Sequence, residues 1–318
     1  MADHGYGLPG TVLLCSDSHT CSAGVFNLAA RGGGAPDMAY AVAKGETWFR
    51  VSETIRYELC GALRPSVSAK DVFLHLANTH GDHATMNVEY GGPALAGLSM
   101  NARRTISTMS AELNVEFATF EPDQIMIDHV QARTDAPFEP VWPDTNADYA
   151  DKRVIDLNLI EPLMALPDAV LNNARAVGDV AGTDIDQAFI GSCANGTLDD
   201  LSVAARVLAG RRVADGTRLV VTPATQSIYR AAMAEDISRL LSRRGASSPM
   251  PPAGLAAAAA WGCWAPAKSA SPPQPGISRA AWAMRRQGFT WPRRPPSRPP
   301  PVPASLPRPW IISHERSF

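Results

Sequence analysis

The chain has 318 residues, 45% of them hydrophobic and 19% charged, with 29 Lys and Arg against 31 Asp and Glu. That balance excludes collagen-like and wholly disordered classes, and a chain of this length buries about 75% of its unfolded surface in two or three domains. No apolar run reaches the roughly 20 residues needed to span a bilayer, and the start lacks a signal-peptide pattern, so a cytoplasmic protein is expected.

In chain order, Thr11 to Cys15 (TVLLC) is a buried strand run, followed by the polar segment Ser16 to Cys21, small-residue turns (ARGGGAP) and a helix from about Pro36 to Lys44. Strand, loop, helix is βα grammar. Thr54 to Leu59 alternates like a half-exposed strand, and Lys70 to Asn78 and Asn101 to Asn114 have helical spacing. Asp186 to Ile190 reads as a strand, Gly191 to Gly196 as a tight loop, Asp199 to Leu208 as a helix and Arg218 to Thr222 as the next buried strand. The pattern predicts α/β layers with parallel sheets.

In such folds ligands gather beyond the carboxyl ends of strands, so two loops draw attention. Asp17-Ser18-His19-Thr20 sets a carboxylate, a hydroxyl and an imidazole side by side, a set suited to proton transfer and equally to a local capping turn. Gly191-Ser192-Cys193-Ala194-Asn195-Gly196 presents a thiol between glycines that permit close backbone approach; the same thiol also fits a small buried apolar role. Five cysteines (Cys15, Cys21, Cys60, Cys193, Cys263) at distant positions do not form a disulfide framework. Arg103 and Arg104 could attract an anionic substrate, but a solvated helix face is the better reading.

Composition breaks near Arg244. Residues 1 to 240 hold 18 basic and 30 acidic side chains, whereas residues 241 to 318 hold 11 and 1, with 16 of the 27 prolines and 5 of the 7 tryptophans. That proline density is incompatible with helices or central strands, so residues 246 to 318 are expected to be an extended, unstructured Pro/Arg/Trp-rich tail that does not complete an α/β layer. Arginine and tryptophan together also fit single-stranded nucleic acid, but GC-rich DNA read out of frame yields the same residues, and no nucleic-acid role is expected.

SDSHTC, KDVFLHLA, VEYGGPA, TISTMSAE and IGSCANG, in this order over residues 8 to 245, resemble the large subunits of 3-isopropylmalate dehydratases in the aconitase superfamily. The resemblance implies aconitase-like three-layer α/β/α domains, incomplete at both ends. Residues 1–52 would be the rest of a first domain, 53–160 a second, 161–245 part of a third bearing the cluster-ligand loop, and 246–318 the aberrant tail. It implies a hydro-lyase that dehydrates and rehydrates a hydroxy-di- or tricarboxylic acid with a [4Fe-4S] cluster held by three cysteines, in company with a small subunit carrying a swivelling domain. Under it, Cys193 is a cluster ligand, Asp17, His19 and Glu89 are catalytic, and Ser18 and Asn195 bind substrate. Without the resemblance, Glu89 reads equally as a solvent-facing strand carboxylate.

The sequence also departs from that pattern. A segment of roughly a hundred residues that precedes DSHT in the family is expected to be missing, and Thr108 and Thr197 replace the usual Asn and Arg. The CGxC pair that supplies two further cluster thiolates does not occur; Cys263, between Trp261 and Trp264, stands without a CxxC partner. Read one nucleotide out of frame, the tail permits H-A-T-C-G-x-C from Pro249 to Ala256, then G-V-L-G-P-G-E to Lys268. The lost cysteines would fall at the Pro252/Ala253 and Leu255/Ala256 junctions. A frameshift between about Arg243 and Ser247 is therefore expected, leaving the chain as written an inactive remnant in which the cluster is not assembled.

Overall fold

A computed structural model describes residues 4–192 and 194–247. Elements follow in the order β1 (Val12–Cys15), a 3-10 helix (Thr20–Phe26), β2 (Ala29–Gly32), α1 (Ala35–Lys44), β3 (Thr54–Cys60), α2 (Ala69–His80), β4 (Asn87–Gly91), α3 (Met100–Met109), β5 (Ala118–Phe120), α4 (Gln124–Gln131) and β6 (Asp151–Asp156). Then come β7 (Leu163–Ala165), β8 (Ala174–Ala176), β9 (Gln187–Ile190), α5 (Leu198–Val207), β10 (Arg218–Val221), α6 (Gln226–Ala234), α7 (Ile237–Arg243) and β11 (Ala246–Ser247).

The fold is mixed α/β with parallel sheets. A four-stranded sheet runs β5-β4-β3-β6, a three-stranded one β11-β10-β9, and β1 pairs with β2, all parallel; β7 and β8 form a small antiparallel hairpin. The alternation in TIRYEL decides which face of β3 is buried. Ile55, Tyr57 and Leu59 point into the core while Thr54, Arg56 and Glu58 face the other way. Register then lines Tyr57, Tyr90 and Phe120 in one row across three strands, and the rings stack at 5.6 and 4.9 Å between centroids. Each such buried ring contributes about 1.5–3 kcal/mol by removing apolar surface from water.

One core gathers residues from Leu8 to Ile160, including Val25, Leu28 and Ile106; a second joins β9, β10 and α5 to α7 through Leu201, Leu219, Val221, Ile237 and Leu241. Asp71 ties neighbouring pieces together: one carboxylate oxygen accepts from the Ser68 N–H and hydroxyl at 2.7 Å, capping α2, while the other accepts from the Leu163 N–H at 2.7 Å.

Three expectations are corrected. Ala30–Gly32, read as turn with the small residues that follow, belongs to β2 (Ala29–Gly32) paired with β1, because Gly32 lets the chain pass close to the Asp17 carbonyl, where a Cβ would lie 2.7 Å from that oxygen. The helix expected over 101–114 ends at Met109 and continues as a 3-10 turn, Ser110–Leu113, where the Ser110 hydroxyl bonds back to the Ile106 carbonyl at 2.8 Å. Ala246 and Ser247, counted with the tail, pair in parallel with Leu219 and Val220 as an edge strand of the three-stranded sheet. The rest of the tail reading, residues 248–318 with Cys263, lies outside the described residues.

Arg103 is a fourth correction. Instead of facing solvent it is wholly buried; it donates to both Asp123 oxygens at 2.8 and 2.5 Å, to the Leu98 carbonyl at 3.1 Å and to the Leu95 carbonyl at 2.6 Å. Asp123 at the same time caps α4 by accepting from the Met126 N–H at 2.9 Å. The guanidinium is tolerated inside because nearly every donor meets an acceptor.

Candidate functional site

The loop after β1 folds on itself. Asp17 Oδ1 accepts from the His19 N–H at 2.7 Å, and the Thr20 hydroxyl donates to the Asp17 carbonyl at 2.5 Å, so the capping-turn reading is right for the backbone. The turn also sets His19 between polar partners. Its Nε2 lies 3.3 Å from Glu112 Oε1, its Nδ1 3.2 Å from Ser18 Oγ and 3.9 Å from Asp17 Oδ1. An ionised carboxylate only accepts, so Nε2 carries the proton towards Glu112, and in the neutral ring Nδ1 is the acceptor for the Ser18 hydroxyl. The hydrogen bond from His19 holds the Glu112 carboxyl below its usual range, against the opposing effect of its partial burial. His19→Asn is therefore expected to raise the Glu112 carboxyl titration, followed by carbon NMR of labelled glutamate, towards the ordinary glutamate value; an unmoved midpoint would break the pairing.

The second loop wraps Thr222 at the end of β10. Gly191 (φ 150°) and Gly196 (φ 77°) both approach the Thr222 carbonyl, where side chains would clash at 2.5–2.6 Å. Ser192 has φ 106°, a strained backbone for a residue with a side chain, and its hydroxyl accepts from the Ala194 N–H at 3.3 Å. Asn195 Nδ2 approaches Asp200 Oδ2 at 3.4 Å, while its Oδ1 is buried with no protein partner among the described residues. Thr197 and Asp200 form a reciprocal cap that starts α5 directly after the loop. Cys193 itself lies outside the described residues.

One element touches both loops. From α3, Ser107 Oγ lies 2.7 Å from the Cys21 carbonyl and the Cys21 thiol donates to the Ser107 carbonyl at 3.2 Å, while Thr105 donates to the Ala194 carbonyl at 2.9 Å. Asn101 at the start of the helix reaches Asp199 at 3.2 Å. Glu112 follows in the turn after it. Thus α3 holds Cys21, two residues after His19, and Ala194 on a common support although they are some 173 positions apart in the chain. Sequence reasoning takes in TISTMSAE without singling out Glu112; Thr105, Thr108 and Glu112 recur at i, i+3 and i+7, the one-face spacing that points to it.

Glu89 is placed elsewhere. Its carboxylate pairs with Arg56 and accepts from the Tyr149 hydroxyl at 2.9 Å; Arg56 also bonds Glu121 at 2.5 Å and Glu58 at 3.2 Å. Burial, with the Glu89 contact, pushes the Tyr149 hydroxyl up to about 12. Glu89 lines a cleft of about 420 Å³ with Thr54, Val141 and Trp142. Asp17 and Ser18 line a different one of about 430 Å³ with Arg31, Gly32 and Glu116, across which Arg31 and Glu116 pair at 2.7 Å. Glycine is required where this Arg56 cluster meets the strand end. Gly92 has φ 102°, and a Cβ there would lie 2.6 Å from the Leu59 carbonyl.

The thiols among the described residues do not fit a cubane cluster. Cys21 is buried and donates to the Ser107 carbonyl, Cys60 donates to the Ile155 carbonyl at 3.5 Å, and Cys15 ends β1. No group of three or more His, Cys, Asp or Glu among the described residues converges as metal ligands would.

A sequence model described as Aconitase family (aconitate hydratase) matches residues 1–175 and 170–252. The chain is 49% identical over 233 residues to the 3-isopropylmalate dehydratase large subunit of Mycolicibacterium smegmatis, covering 73% of this chain and 55% of that protein. It is 38% identical over 268 residues to the probable methanogen homoaconitase large subunit of Methanothermobacter thermautotrophicus (84% and 62% covered). With the same-named protein of Methanosarcina mazei it shares 39% identity over 256 residues (80% and 65% covered). The chain thus spans between 55% and 65% of the length of these three relatives.

Proposed function

The chain belongs to the aconitase family, and we propose that its lineage is that of the large subunit of an isopropylmalate dehydratase- or homoaconitase-type hydro-lyase acting with a small subunit. The observation that supports this most directly is the common support that α3 gives to the His19 loop and the Ala194–Asn195 loop. Elimination of water from a hydroxy acid needs a base to take the proton alpha to the carboxylate and an acid to protonate the departing hydroxyl, and a protonated His19 is arranged for the second of these roles. Its Nε2–H stays on Glu112, whose negative charge stabilises the imidazolium, while Nδ1–H is placed to pass its proton from the Ser18 and Asp17 side. Ser18 and Asn195 would hold substrate oxygens. A catalytic Glu89 would act from the cleft that it lines with Thr54 and Trp142. Cytoplasmic placement belongs to the same reading; among the described residues no helix is long and apolar enough to cross a membrane.

A second reading is favoured for the polypeptide as written: an inactive, frameshifted remnant of such a subunit. It is supported by the sequence, which holds no CGxC pair, and by Cys21 and Cys60, both committed to backbone carbonyls. The test is anaerobic reconstitution of the full chain with ferrous iron and sulfide, followed by a dehydration assay with a small subunit added. We expect fewer than about one iron per chain and no turnover, since three thiolates are needed to hold such a cluster. Near-stoichiometric cluster with turnover of isopropylmalate or homocitrate would overturn this reading and leave the enzyme. Resequencing from about codon 235 decides its origin: a single base that restores CGxC marks a frameshift, and DNA that reads cleanly as written removes one.

A further inference from the structure

Glu112 sits on the short turn Ser110–Leu113, and the carboxylate is only as well placed as that turn. One flank is held by the Tyr90 hydroxyl, 2.8 Å from Ser110 Oγ. The other is held by the loop between α2 and β4: the His83 N–H donates to the Leu113 carbonyl at 2.8 Å, and Asn114 Nδ2 donates to Asp82 Oδ1 at 3.0 Å.

The His83 side chain anchors that loop from within. It is 2% exposed, with Nδ1 donating to the Gly81 carbonyl at 2.9 Å, so its Nε2 is an acceptor. The Tyr57 hydroxyl donates to it at 2.6 Å, and Arg153 Nη1 lies 2.8 Å from the Tyr57 oxygen and 3.1 Å from Nε2. Arg153 is itself fixed by Asp151 at 2.6 Å, and Tyr57 is a fully buried residue of the central strand. The His83 ring therefore ties this loop to the sheet, alongside the bonds that join the loop to Leu113 and Asn114.

We infer that His83 is a positioning residue for the His19–Glu112 pair: its ring, locked by Tyr57 and Arg153, fixes the backbone N–H that holds the Leu113 carbonyl beside Glu112. The inference rests on the reading of His19 as the proton donor. The groups facing the ring are Tyr57 from β3, Arg153 from β6, His80 from α2 and Asp82 from its own loop, with Asp151 of β6 behind Arg153. Burial keeps His83 less basic than an ordinary histidine, which the geometry requires, because a proton on Nε2 would confront Arg153 and displace the Tyr57 donor.

The Glu112 carboxyl titration, read by carbon NMR on the full chain, tests this without any need for turnover. His19→Asn sets the scale by removing the hydrogen bond that depresses it. His83→Phe is expected to raise the Glu112 midpoint by at least half of that change, while His83→Gln, whose amide can both donate to Gly81 and accept from Tyr57, keeps it near the native value. Tyr57→Phe, which retains the ring and loses only the hydroxyl, is expected to raise it in the same direction and serves if His83→Phe does not fold. A native midpoint in His83→Phe, or in Tyr57→Phe where that stands in, overturns the positioning role. An unmoved midpoint in His19→Asn instead removes the pair and, with it, the reading of the site.

Discussion

Arg103→Met is expected to cost about 3–5 kcal/mol of stability, the range for removing one member of a buried, hydrogen-bonded ion pair. The loss arises in three places at once: Asp123 keeps its charge without its guanidinium, and the Leu95 and Leu98 carbonyls lose donors inside the core. Asp123→Asn keeps an acceptor for the Met126 N–H, so it separates the cap of α4 from the ion pair. The double variant Arg103→Met/Asp123→Asn is expected to recover part of the loss, because neither charge is then left alone. Urea unfolding of the native protein and the three variants measures this; a change within about 0.5 kcal/mol for Arg103→Met, the range of ordinary surface substitutions, would make the pair incidental.

The same pair sets an acid dependence. Burial works to raise the Asp123 carboxyl, but the hydrogen bonds from Arg103 and Met126 and the guanidinium charge outweigh it, and the group titrates below its ordinary value. A depressed carboxyl contributes its stability in full above the unfolded value, about 3.9, and loses it as the pH falls through the lower folded value. The gap between native protein and Arg103→Met should accordingly narrow below about pH 4.

Gly24→Ala is the second large effect, expected at about 1–3 kcal/mol by overpacking against rigid backbone. Gly24 lies where the 3-10 helix Thr20–Phe26 crosses β5. A Cβ there would collide with the Ala118 carbonyl oxygen and lie 2.8 Å from its carbon and 3.2 Å from Thr119 Cα. The oxygen it strikes is also 2.9 Å from Ser107 Oγ, the group that ties the helix to α3. Relief by movement would carry away the segment that begins at His19, so the Glu112 titration should rise along with the loss of stability. Gly97→Ala, where an added Cβ would meet nothing within 4 Å, is the control and should be close to neutral. Equal unfolding midpoints for the two variants would show that the crossing has slack.

Much of this is written along the chain. The alternation of TIRYEL assigns Tyr57 to the core and Arg56 to the opposite face without reference to any other element, because a strand turns successive side chains to opposite sides. The five ordered motifs locate both loops that α3 supports: Asp17 closes its own turn by accepting from the His19 N–H, and the glycines around Cys193 take positive φ values that favour glycine. The strand in Ala29–Gly32 was less legible, because residues of low strand propensity are held there by the close passage of Asp17, a contact made from outside the segment.

What the tertiary structure alone decided is the fate of the polar groups. Arg103 looks solvated by its type and is buried because Asp123, 20 positions on, and two carbonyls before it close around it. Glu112 becomes the partner of His19 from 93 positions away, and Glu89 is taken up by Arg56 and Tyr149. Periodicity reports which face is apolar, since the hydrophobic effect acts on each side chain separately. A buried charge is stable only when particular acceptors converge on it, and that convergence exists only once the elements have packed.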